Sequence, residues 1–205
     1  MGMSSIDAHA SDLRDLDQRA LKTAGRLIAQ VGPEHLTRPT PCAAWNLGEL
    51  LRHLVSENLG FAAAAAGLPA NGSRWDSGEL GADPHRAYHE SAAAVSAAFA
   101  ARDVHDRQVE VREFGVFRGR VAMSMHFVDF LVHGWDVAAS VGVPYPLDEE
   151  AAVVALAIAS EWPDTPGFRG LGAPFGTRVP VRADATDFDR LLGLLGRSPA
   201  WTPSC

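Results

Sequence analysis

The stretch HFVDFLVHGWDVAAS, residues 126–140, is apolar enough to form a helix buried inside a fold, yet it carries two histidines and two aspartates. Burying a polar group without a partner costs about 2–7 kcal/mol, so any fold built round this segment must supply partners for His126, Asp129, His133 and Asp136. At about 100° per residue, offsets of three, four and seven return to one helix face. That face gathers all four side chains together with Phe130 and Val137. The spacing predicts a helix from about Val121 to Val141, ended by Gly142 and Pro144. Because it is apolar nearly all round, it belongs at the centre.

Other helices can be read round it. Leu13, Leu16, Ala20, Ala24, Leu27 and Val31 recur every three or four positions before Gly32-Pro33. Asn46 with Glu49 reads as a capping box opening a second helix that carries Leu47, Leu50, Leu51, Leu54, Asn58 and Phe61 and ends at Gly67. The segment LPANGSRWDSGELGADP is loop by composition, and Asp83-Pro84 then starts a third helix running to about Arg102. Val109 and Val111 alternate with polar residues near Phe114-Gly115, as in a short hairpin. A fifth helix spans about Asp148 to Glu161, and the tail is expected to hold one short strand and one short helix. Long helices with little strand predict an all-α bundle with additional short helices and a minor β element, in a single domain over residues 1–205.

Composition excludes several classes of function. A formal net charge of −7 argues against a nucleic-acid or anionic-membrane surface. No run of about 18 apolar residues spans a membrane, and MGMSSIDAHASDL lacks the regions of a signal peptide, so a cytoplasmic location is expected. With only Cys42 and Cys205, there is no disulfide framework and no four-cysteine zinc site. Any metal must be held by histidine and carboxylate. No nucleophile-elbow, phosphate-loop, dinucleotide or zincin motif occurs.

Asp129 and His133, an i, i+4 pair about 6 Å apart along the axis, can converge on one ion. His126 lies about twice as far from His133, too far for the two to share one ion comfortably. On the second helix His53 flanks the leucine stripe with Glu57 one turn on, where a neighbouring helix packs. His53, Asp129 and His133 together form an N, N, O donor set suited to zinc or a similar divalent metal, with nickel or iron as alternatives and a coordination position left for substrate. The same spacing equally describes a hydrogen-bonded core histidine beside a helix-surface ion pair. His85 and His89 share the i, i+4 spacing in a polar first turn and read as solvated surface, while His9, His35 and His105 fall in loops. Cys42 precedes a helix N-terminus, which favours a thiolate, but beside Ala and Trp it reads as packed.

TPCAAWNLGELLRHLVSEN, HFVDFLVHGWDVAAS, FGTRVPV and DATDFDRLLGLLGRSPAW, in this order, resemble the actinobacterial metal-binding proteins related to the mycothiol-dependent maleylpyruvate isomerase N-terminal domain, within the DinB-like superfamily. The resemblance covers about residues 11–202 and implies a DinB-like four-helix bundle. It also implies His53, Asp129 and His133 as metal ligands. Such families often place Glu or His where this chain has Asp129, whose shorter arm seats an ion differently.

The resemblance further implies an ion that holds the thiol of a small cofactor, mycothiol, as thiolate for addition to an electrophile. Coordination to a cation lowers a thiol's pKa. The chain stops soon after GRSPAW, where the isomerase continues into another domain, which leaves S-transfer the freer expectation. His126 and Asp136 are expected to orient ligands or the bound thiol, Glu57 to do the same or to act as a base, and Arg190 and Arg197 to form salt bridges or face a substrate carboxylate. The rival expectations are a non-catalytic metal-binding or interaction protein and a hydrolase using metal-bound hydroxide. The exposed apolar faces of such a bundle also allow a homodimer.

Overall fold

The computed structural model describes residues 10–68, 75–165, 168–170, 173 and 175–203. His9, Cys205, residues 69–74 of the loop and part of the tail lie outside the described residues. The elements are α1 (Ala10–Ile28), α2 (Leu47–Ala65), α3 (Pro84–Phe99), β1 (Gln108–Val111), β2 (Gly115–Arg118), α4 (Gly119–Val141), α5 (Glu149–Ser160) and α6 (Asp187–Leu194). Helix α1 packs on α4, α2 on α3, and contacts of α2 with α4 and of α1 with α3 close the four-helix bundle. Helices α5 and α6 pack on each other, and α5 also lies against α4. The fold is all-α with a minor β element. No helix among the described residues is long and apolar enough to cross a membrane.

Local chemistry sets where the helices begin. The Asn46 side chain accepts from the Glu49 amide at 3.0 Å, while the Asn46 amide donates to Glu49 Oε2 at 2.8 Å, a complete capping box. Asp83 caps α3 with Pro84 in its first turn, and Asp148 and Thr186 cap α5 and α6. Gly142, at φ 83°, ends α4 in the left-handed conformation that a side chain would resist. The predicted stripes face inward: Leu16, Ala24 and Leu27 of α1, Leu50, Leu54 and Phe61 of α2, and Phe130 and Val137 of α4 are all buried.

The hairpin is antiparallel, with Val109 opposite Phe117 and Val111 opposite Gly115. Its tight connection is a 3-10 turn over Arg112–Phe114. The expected tail strand does not form among the described residues, where an isolated bridge joins Arg169 to Phe175. The FGTRVPV segment instead runs against α6, and the Val179 amide donates to the Gly193 carbonyl at 2.8 Å. A side chain at Gly193 would meet the Val179 carbonyl at 2.6 Å, so this approach requires glycine. Pro180 has no amide to offer a neighbouring strand.

Candidate metal centre

Facing turns of α2 and α4 bring three side chains to one point. One ligand atom each from His53, Asp129 and His133 lies within 4.8 Å of the others. His53 Nε2 is 3.6 Å from Asp129 Oδ2, and His133 Nε2 is 3.4 Å from Asp129 Oδ1. Donors about 2.0–2.1 Å from a tetrahedral ion stand about 3.3 Å apart, so the three side chains are near enough to share one cation. His53 Nε2 and Asp129 Oδ2 are buried without a hydrogen-bond partner. Two such atoms converging on one another are what a shared cation would satisfy.

Each imidazole is backed by a carboxylate, and each carboxylate by an arginine. Behind His133, Nδ1 lies 2.8 Å from Asp136 Oδ2, which also accepts from Arg197 Nη2 at 3.2 Å. Behind His53, Nδ1 lies 3.7 Å from Glu57 Oε1, which accepts from Arg112 Nε at 2.8 Å and from Arg112 Nη2. Trp45 stacks on the His53 ring with centroids 4.4 Å apart.

The charges are strongly coupled. Burial works to lower the His133 pKa, but Asp129 and then Asp136 outweigh it and raise it to about 10. Burial alone would raise Asp129, yet His133 and His53 hold it well below the usual carboxylate range. Burial likewise opposes ionisation of Asp136, and Arg197 with His133 reverses the balance and lowers it. For Glu57 burial prevails: its pKa is raised although His53 and Arg112 pull the other way.

The cluster opens on a cavity of about 1000 Å³ whose lining includes Cys42, Trp45, Trp75, Arg112, Phe114 and Trp162. The space exceeds what an ion needs and is of the size that takes a small organic ligand.

His126 does not join this group, contrary to the expectation that it orients a ligand. Its Nδ1 is 2.6 Å from Asp17 Oδ1, and its Nε2 is 3.0 Å from Asn58 Oδ1. The ring stacks on Phe130 and meets Phe61 and Phe99 edge-on. Two turns of rise carry it past the cluster and into the bundle core, where α1 supplies its partner. The signal was Asp17, a carboxylate lying between Leu13, Leu16 and Ala20 on an otherwise apolar face.

Arg190 is exposed and pairs with Asp187 at 3.4 Å. His85 and His89 are exposed on α3, and Cys42 is half-buried as a free cysteine. Sequence reasoning gave no role to Arg112, which sits in the hairpin turn, or to Trp45, eight positions before His53.

The model of the family described as mycothiol maleylpyruvate isomerase N-terminal domain matches residues 18–138, a span that holds all three clustered residues and Asp136 but not Arg197. Two Mycobacterium tuberculosis proteins, from strains H37Rv and CDC 1551 and each described as an uncharacterized protein, are 33% identical to this chain over 184 residues. The alignment covers 88% of this chain and 95% of each relative. No solved structure matches. With the family model spanning more than half of its length, the chain belongs to the mycothiol maleylpyruvate isomerase N-terminal domain family.

Proposed function

We propose that this protein binds one divalent metal ion, zinc in the first instance, through His53, Asp129 and His133, and uses it to present a small thiol to an electrophile. The observation that carries this reading is the facing pair of buried atoms without a hydrogen bond, His53 Nε2 and Asp129 Oδ2, beside a His133 whose rear nitrogen is already held by Asp136. The ion would lower the thiol's pKa and offer its sulfur as thiolate at neutral pH. Mycothiol is the thiol that the family's description suggests, and the reaction class is S-transfer or thiol-assisted isomerisation.

The chain's own residues supply orientation and a dry wall. Asp136 places the His133 proton on Nδ1 and leaves Nε2 facing the cluster. Glu57 Oε1 is committed to Arg112, which makes Glu57 a support for His53 rather than a base. Trp45, Phe114 and Trp162 are among the residues that line the cavity and would give a bound thiol an apolar wall.

Purified protein is expected to hold about one equivalent of metal by elemental analysis, and His133→Ala to lose it. Stoichiometric metal in that variant removes the triad. With metal in place, mycothiol or a surrogate thiol plus a panel of electrophiles is expected to give metal-dependent adducts or isomers. Metal binding with no such product points instead to a non-catalytic metal-binding protein.

A further inference from the structure

Arg112 is the one non-glycine among the described residues with a left-handed backbone, at φ 42°. An L-residue with a bulky side chain adopts this conformation only when its surroundings hold it there, and such positions cluster at functional sites. The hairpin connection that needs the turn could have used glycine or asparagine. What arginine adds is its guanidinium, and two of that group's nitrogens are engaged in hydrogen bonds.

Nε and Nη2 both donate to Glu57 Oε1. Nη2 also donates to the Trp75 carbonyl at 2.9 Å, and the guanidinium carbon stands 5.2 Å from the centre of the Trp75 ring. Nη1 lies 3.5 Å from Asp76. One side chain therefore joins the hairpin, the loop before α3 and the helix that carries His53.

Holding the hairpin in place does not require it. Arg107, just before β1, donates to the Ala65 carbonyl of α2 at 2.8 Å. Trp75 is separately seated against Gly60, where any side chain would collide with the indole ring. The distinctive product of the Arg112 contacts is the placement of Glu57. That carboxylate is 7% exposed, its hydrogen bonds from Arg112 fix where Oε1 lies, and Oε1 faces Nδ1 of His53 at 3.7 Å.

We infer that Arg112 is a positioning residue of the metal centre, fixing Glu57 against the rear nitrogen of His53 and so setting the direction of the one ligand that α2 contributes. This rests on the metal-binding reading above. It gives each imidazole a carboxylate–arginine pair behind it, hydrogen-bonded to His133 at 2.8 Å and facing His53 Nδ1 at the longer ion-pair distance of 3.7 Å. Partners behind metal-bound histidines typically govern affinity by 10–100-fold.

The test is cobalt(II) loading of the full chain, with the dissociation constant read by chelator competition and the ligand field by the visible absorption bands. Arg112→Met and Glu57→Gln are each expected to weaken cobalt binding by about tenfold or more and to alter the bands. Because Arg112 acts through Glu57, the double variant is expected to be no weaker than the worse single one. Arg112→Lys, which keeps the charge but cannot reach Glu57 and the Trp75 carbonyl together, is expected to recover part of the affinity. Arg107→Met, a control for the hairpin's attachment, is expected to stay within about twofold of the parent, the scale of a merely structural effect.

Additive losses in the double variant, or parental affinity and bands in Arg112→Met, overturn the inference while leaving the metal reading intact. Should Arg112→Met not fold, Glu57→Gln carries the test, and parental affinity and bands there overturn it equally. A parent protein that binds no cobalt overturns the metal reading and this inference with it.

Discussion

His133 Nδ1 lies 2.8 Å from Asp136 Oδ2, three residues further along the same helix, and both groups are buried. The proposed ligand and its carboxylate partner thus come from a single turn of α4, and their relative position is fixed by helix geometry before any tertiary contact forms. Arg197, far along the chain, then neutralises the carboxylate at 3.2 Å.

Asp136→Asn keeps the shape and one acceptor but removes the charge that this arrangement exploits. Metal affinity is expected to fall by about tenfold or more, measured by competition with a chromophoric chelator. The variant is also expected to lose about 3–5 kcal/mol of stability in denaturant titrations, because Arg197 is left as a buried charge with its partner neutralised. Unchanged metal affinity would show that the carboxylate serves only Arg197.

His126→Ala separates the second polar cluster from the first. The substitution strips a ring from among Phe61, Phe99 and Phe130 and leaves Asp17 without its partner in the core. Stability is expected to drop by about 3–5 kcal/mol, with the metal content of the folded fraction unchanged. Loss of metal from a protein that still melts cooperatively would tie His126 to the site after all.

His126 also shows what the sequence could and could not convey. Helix periodicity assigns a residue to a face, and His126 does share the face of His133. It says nothing of which neighbour arrives at each level, and Asp17 comes from a helix 109 positions away. The caps at Asn46 and Asp83 were legible because their chemistry is complete within four residues. The grouping of His53 with Asp129 and His133 was legible as a histidine on the flank of one apolar stripe opposite an i, i+4 pair on another. Arg112 was not, since nothing in local propensity places an arginine in a left-handed turn. The tail misled for a related reason: a short strand was expected there, but what lies beside Val179 is the end of α6.

The metal-free cluster carries its own pH signature. A His133 pKa raised to about 10 means that the protonated imidazole stabilises the fold fully below its unfolded value of about 6.5 and that this contribution is lost as pH rises toward 10. Asp129, held well below the usual range, contributes in the opposite sense, and its share is lost only in acid. Between about pH 6.5 and 9, metal-free protein should therefore lose stability steadily through His133. A cation bound at Nε2 takes the place of that proton, so binding releases one proton and affinity rises by up to about tenfold per pH unit over the same window. The difference in Tm between zinc-saturated and chelator-treated protein is expected to widen from pH 6.5 to 9. A difference that stays constant or narrows would mean that His133 keeps its proton and is not a ligand.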